Sequence, residues 1–175
     1  MISIPALDLG DIRLRGFGEH DVTAYREIRA DPEVARYLPG GLAAVADANA
    51  RTQAVLDLAD TNWRSHGYGI WAVEDMADGT LLGHAGLNHV DELNAVEVLY
   101  ALAPSAWGRG LATRAARASI AYGFEKAGLD RIVGLVHRDN DASARVLQKA
   151  GLAFEEEIDF KELPVLVYAI ERPGG

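Results

Sequence analysis

Residues 95–127, AVEVLYALAPSAWGRGLATRAARASIAYGFEKA, decide how the rest of the chain is read. AVEVLYAL alternates as a strand does, and from Leu111 to about Ala127 the apolar residues recur at helical spacing. The turn between them, APSAWGRG, places Gly108 and Gly110 on either side of Arg109, just before a helix whose first N–H groups lack intrahelical acceptors. Glycines let a backbone approach a bulky anion closely, and the helix dipole adds partial positive charge there. A pyrophosphate suits such a turn. A plain glycine-rich entry into a helix explains the same two glycines.

Working outward, RIVGLVH at 131–137 is apolar on both faces, as a central parallel strand should be, so strand, helix and strand make one right-handed crossover. A helix from Asn140 to Ala150 ended by Gly151 follows, then strands over 153–160 and 165–171 around a break at Lys161 to Pro164. Upstream, YGIWAVED and LLGHAGLNHV form a hairpin around Asp78-Gly79, and DELN turns the chain into AVEVLYAL, giving a three-stranded antiparallel meander. Before that come a strand from Ile12 to Phe17, a helix over Val22 to Ala30 with Asp21 as N-cap, and a short turn of helix restarted at Asp31-Pro32. Pro39-Gly40-Gly41 is a loop, and a longer helix then runs to His66, stopped by Gly67. The expectation is one α/β domain over 1–175, with helices flanking a mixed, mostly antiparallel twisted sheet of about seven strands.

The 175 residues, 49% hydrophobic, supply one adequate core. A net charge of −9 disfavours nucleic acid or an anionic membrane as partner. Zero cysteines exclude disulfides, thiolate metal sites and a cysteine-linked intermediate. The first residues, MISIPALDLGD, lack the basic start and apolar run of a signal peptide, and no segment reaches the length of a membrane span, so a cytoplasmic location is expected. His84 and His89 lie five apart on one strand, point to opposite faces and cannot form a simple ligand pair; no metal is expected. Arg114 and Arg117 share a helix face that either is solvated or reaches phosphates, and the acidic run around Glu155 to Glu162 is a solvated strand or an attraction for an ammonium group.

PSAWGRGLAT after a strand carrying Glu97, followed about thirty residues on by NDASARVLQKAG, resembles the GNAT acetyltransferase superfamily. The start, IRLRGFGEHDVTAYREIRADPEVARYL, is similar to the branch of ribosomal-protein alanine N-acetyltransferases. The resemblance implies an acetyl-CoA-dependent N-acetyltransferase, monomeric or homodimeric, whose sheet splays between the Glu97 strand and the Arg131 strand. It implies that Trp107, Gly108, Arg109, Gly110, Leu111, Ala112 and Thr113 cradle the pyrophosphate of acetyl-CoA. Leu99, Tyr100, Ala101 and Leu102 would meet the pantetheine arm and polarise the thioester, and Asn140 and Ser143 would lie near its thiol end. Two departures stand out: Ser105 sits where the family motif often has Gln or Arg, and Leu147 sits where many members carry a tyrosine, four residues after Ser143.

The chemistry asks for a base or water path to deprotonate an amine, a donor to the carbonyl oxygen and an acid for the leaving sulfur. Glu97 shares a strand face with Ala95, Leu99 and Ala101. Desolvation there would make it a base near neutral pH, whereas an arginine partner would make it structural. Ser143 lies on the stripe of Val146, Leu147 and Ala150, where its hydroxyl either protonates the thiolate or caps the helix locally. Asn140 serves equally as N-cap or pantetheine contact. The amine acceptor, a protein N-terminus or a small molecule, has no code in these residues. Two other readings stand beside it. One is a non-catalytic acyl-CoA- or partner-binding module. The other is a dinucleotide-binding domain, which Thr113 in the third glycine position and the meander oppose.

Overall fold

The computed structural model describes residues 3–174. In chain order it contains strands β1 (Leu7–Asp8) and β2 (Ile12–Arg15), helices α1 (Asp21–Ala30), α2 (Pro32–Ala35) and α3 (Ala48–His66), and strands β3 (Ile70–Asp75), β4 (Leu81–Val90) and β5 (Ala95–Leu102). Helix α4 (Leu111–Glu125), strand β6 (Arg131–His137), helix α5 (Asp141–Lys149) and strands β7 (Ala153–Phe160) and β8 (Leu163–Glu171) complete it. All eight strands join one sheet in the order β1-β2-β3-β4-β5-β6-β8-β7. Every neighbouring pair is antiparallel except β5 and β6, which the α4 crossover makes parallel. The strand beyond the expected number is β1, two residues long, held by Leu7 opposite Leu14.

Strand register sorts the side chains into two layers. Ile12, Leu14, Trp71, Val73, Ala85, Leu87, Val96, Val98, Ile132 and Val136 face α4 and α5, where Leu111, Ala115, Ala116, Ile120 and Leu147 close the main core. On the opposite face Ala72 and Leu81 pack with Tyr25, Val55 and Leu56 under α1 and α3. Gly134 is required beneath α5, because a Cβ there would lie 2.6 Å from a Leu147 methyl. Gly67, at φ 71°, closes α3 in the left-handed conformation.

One local expectation is corrected. Asp21 is not the N-cap of α1; His20 holds that position without a side-chain bond. Asp21 lies just inside the helix, 2% exposed, accepting from the Arg15 guanidinium at 2.7 and 2.9 Å and from the Gly18 N–H at 2.7 Å. Burial pushes its carboxyl up, but Arg15 and the Gly18 N–H outweigh that and hold it below the usual range. Between the glycine loop and α3, Gly41–Asp47 forms a 3-10 helix, and α3 itself begins at Ala48 and runs to His66. The helical turn restarted at Asp31-Pro32 is α2, and Asp31 caps it by accepting from the Glu33 N–H.

Candidate active site

Strands β5 and β6 pair only at Glu97 opposite Val133. Beyond that point the ladder stops, while β4 continues to pair with β5 as far as Leu102. The two strands part, and a cleft opens on their C-terminal side. At its far end the chain leaves β5 through a short 3-10 turn at Pro104–Ala106 and enters the glycine turn.

The glycine turn has the conformation its sequence demands. Gly108 and Gly110 have φ of 74° and 72°, and an added Cβ at either would meet nothing within 4 Å. Gly110 is the N-cap of α4 and supplies no side-chain acceptor, so the first-turn N–H groups donate to no capping side chain. Trp107 pins the turn by donating Nε1–H to the Leu102 carbonyl at 2.8 Å, leaving its ring half exposed. The nearby guanidiniums are engaged elsewhere: Arg109 with Asp75 at 3.4 Å, Arg114 with Asp11 and the Leu9 carbonyl, and Arg117 with the Lys149 carbonyl. Backbone, rather than arginine, is what this turn offers an anion.

Glu97 sits where the ladder ends, half-buried, with Asn88 on β4 and Val133 on β6 as its neighbours in register. No arginine pairs with it among the described residues. Its Oε1 accepts from Asn88 Nδ2 at 3.4 Å, and Asn62 Nδ2 on α3 donates to Asn88 Oδ1 at 2.9 Å, which turns the Asn88 amide toward the carboxylate. Desolvation pushes the Glu97 carboxyl up to about 7, against smaller opposing pulls from Asn88 and Lys161. Lys161 reaches this neighbourhood through an ion pair with Glu92 at 3.1 Å, joining the β7–β8 turn to the β4–β5 turn. The positive φ of the non-glycine residues Asn94, Lys161 and Glu162 places backbone strain in these same two turns.

Ser143 lies across the cleft on the first turn of α5. Asn140 is the cap of that helix, its Oδ1 accepting from the Ser143 N–H at 3.1 Å. The Ser143 hydroxyl does not bond the helix backbone; it lies 2.9 Å from the Tyr100 hydroxyl, which is also 3.0 Å from the Ser143 carbonyl oxygen. Tyr100 and Ser143 thus tie the two walls of the cleft on the α4–α5 side. On the other side Tyr37 donates to the Asp139 carbonyl at 3.3 Å, beside an open cavity of about 230 Å³ that Arg36, Leu42 and Trp107 also line.

Glu97 and Ser143 are not in contact. Tyr100 is three positions on from Glu97 along β5, roughly 10 Å of strand, and their side chains leave opposite faces. Asn88 and Asn62 went unseen in the sequence, although the DELN turn sets Val90 opposite Ala95 and therefore Asn88 opposite Glu97. His84 and His89 do part to opposite faces: His84 meets the Tyr25 hydroxyl at 2.8 Å and burial pushes it down to about 3, while His89 stacks on His66. Among the described residues no cluster of three or more His, Asp or Glu could hold a metal ion, and no helix is long and apolar enough to cross a membrane.

The acetyltransferase (GNAT) domain family model matches residues 11–153. The chain is 30% identical over 160 residues to the uncharacterized protein YkkB of Bacillus subtilis, covering 90% of each. The crystal structure of an acetyltransferase from Agrobacterium tumefaciens superposes with a TM-score of 0.84 at 27% identity, covering 98% of this chain and 97% of that one. A ribosomal-protein-S5-alanine acetyltransferase from Vibrio fischeri shares the fold, with a TM-score of 0.79 at 18% identity and 98% of each chain covered. A glycine-capped helix entrance beside a parted pair of parallel strands, and a match over most of the length, lead to one assignment: the chain belongs to the GNAT acetyltransferase family and is an acyltransferase.

Proposed function

We propose that the protein moves an acetyl group from acetyl-CoA to a primary amine by direct attack in a ternary complex. The observation that carries this reading is Glu97: a carboxyl desolvated to a midpoint of about 7, without an arginine partner, at the point where β5 and β6 part. The glycine turn suits the cosubstrate, since Gly108 and Gly110 leave open space before N–H groups without a side-chain cap. The backbone from Trp107 to Thr113 would hold its pyrophosphate and that of Leu99 to Leu102 its pantetheine arm, with Asn140 and Ser143 at the thiol end. Acetyl-CoA supplies the activated acetyl group as a thioester.

Glu97 accepts the proton that the amine must lose, with Asn88 and Asn62 fixing its carboxylate. The zero-cysteine composition supports direct transfer over a cysteine-linked intermediate. Ser143, on the opposite wall, offers its hydroxyl hydrogen to the departing sulfur. A free-thiol release assay with acetyl-CoA against peptide N-termini, amino acids and polyamines tests this reading. Thiol release that depends on one class of amine supports it. Calorimetric binding of acetyl-CoA with no release for any amine points instead to a binding module.

A further inference from the structure

Helix α5 carries no phenol. Position 147 is occupied by Leu147, 1% exposed and packed against Gly134, so that site faces the sheet rather than the cleft. A phenol arrives from the opposite wall instead. Tyr100 packs its ring against both halves of the main core and sets its hydroxyl 2.9 Å from Ser143 Oγ and 3.0 Å from the Ser143 carbonyl oxygen. Among the described residues these are its hydrogen-bond partners, and the carbonyl alone would satisfy a buried phenol.

Three oxygens share two hydroxyl hydrogens, and one oxygen, the carbonyl, can only accept. When Tyr100 donates to the carbonyl, Ser143 donates to the phenol oxygen, and neither hydrogen is available to a ligand. When Tyr100 donates to Ser143 Oγ, the Ser143 hydrogen is free to turn into the cleft. We propose that Tyr100 is a positioning residue for the acetyl transfer, moving its hydrogen from the Ser143 carbonyl to Ser143 Oγ and so presenting the Ser143 hydroxyl to the departing sulfur. No covalent bond changes in this step; two hydrogen bonds exchange, and the negative charge on sulfur gains a donor. The inference rests on the acetyl-transfer reading.

The test is a double-mutant cycle with Tyr100→Phe, Ser143→Ala and both together, in kcat where chemistry limits turnover and in acetyl-CoA affinity by calorimetry. The expected result is a loss of about tenfold or more in kcat for Tyr100→Phe, affinity within about twofold, and a double variant no slower than Ser143→Ala alone. A Tyr100→Phe rate within about twofold of wild type, or losses that multiply in the double variant, overturns the inference. Difluorotyrosine placed at position 100 keeps the shape and both contacts while making the phenol more acidic, so it also covers a Tyr100→Phe protein that fails to fold. It should move kcat and its pH profile, and an unchanged profile counts against the coupling. If Glu97→Gln abolishes turnover while the Tyr100 variants do not, acetyl transfer stands and this inference falls; if wild type releases no thiol with any amine, both fall.

Discussion

Replacing Glu97 with glutamine should remove activity and add stability, each with its own pH dependence. With a midpoint of about 7, the carboxyl is roughly 10% ionised at pH 6 and 90% at pH 8, so wild-type kcat should climb roughly ninefold across that interval. A carboxyl at its ordinary 4.5 would already be ionised at both ends and give no such limb. Glu97→Gln keeps the shape and still accepts from Asn88, but it cannot take a proton; kcat at pH 8 should fall roughly 10²–10⁴-fold. The sign for stability is opposite. Because the folded state raises the midpoint, the protonated carboxyl is favoured below pH 4.5, and that advantage is lost as pH rises from 4.5 through 7. At 1.36 kcal/mol per pH unit the ceiling is roughly 3 kcal/mol, and solvent access to the half-buried carboxyl brings the expectation to about 1–3 kcal/mol. Urea melts should therefore show Glu97→Gln more stable than wild type at pH 8 and equal to it near pH 4. A variant that keeps the wild-type pH–rate limb and gains nothing at pH 8 would refute both the burial and the role assigned to it.

Ser143→Ala should lower kcat by roughly 10²-fold while acetyl-CoA affinity holds, and it should change stability little because Asn140 provides the cap; a wild-type rate where chemistry is limiting rules the hydroxyl out. Gly110→Val forces a β-branched residue to a φ of 72° and obstructs the N–H groups of α4, so calorimetry should show acetyl-CoA affinity down at least about tenfold. Unchanged affinity in the folded variant would remove the anion site from this turn. The two-residue turn between β7 and β8 has positive φ at both Lys161 and Glu162, so Lys161→Asn with Glu162→Gly should stabilise the protein by about 1–2 kcal/mol, less any contribution of the exposed pair with Glu92. Losing Lys161 should also move the Glu97 limb to higher pH, and a melt and rate profile unaltered by the double substitution would count against strain and charge alike.

Periodicity and turn chemistry carried most of the fold. LLGHAGLNHV and AVEVLYAL are strands to the residue, and Gly67 ends α3 where predicted, because each stretch has both an unambiguous period and a strong terminator. Asp21 misled because an Asp before an apolar run reads as a cap, whereas its carboxylate is claimed by Arg15, a partner made visible only by the path of the chain. The glycine turn was legible in the same local way, since two glycines before a helix dictate their own geometry. The surroundings of Glu97 were not. Its burial depends on where a ladder stops, and its orientation on Asn62, distant in sequence and brought near by α3. The Tyr100 to Ser143 contact spans 43 residues and two walls of a cleft, and neither periodicity nor motif reports such a meeting.

Strand β7 ends the sheet, and its outer edge has no ladder partner among the described residues. Glu155, Glu156, Glu157 and Asp159 crowd that strand, and among the described residues only Glu155 and Glu157 are neutralised in part, by Arg131 and Arg138. Two such edges brought together would set carboxylate against carboxylate, so the strand that invites a second copy by its backbone turns it away by its side chains. The acidity of the tail therefore has a physical consequence that needs no ligand: its charge opposes growth of the sheet across the β7 edge.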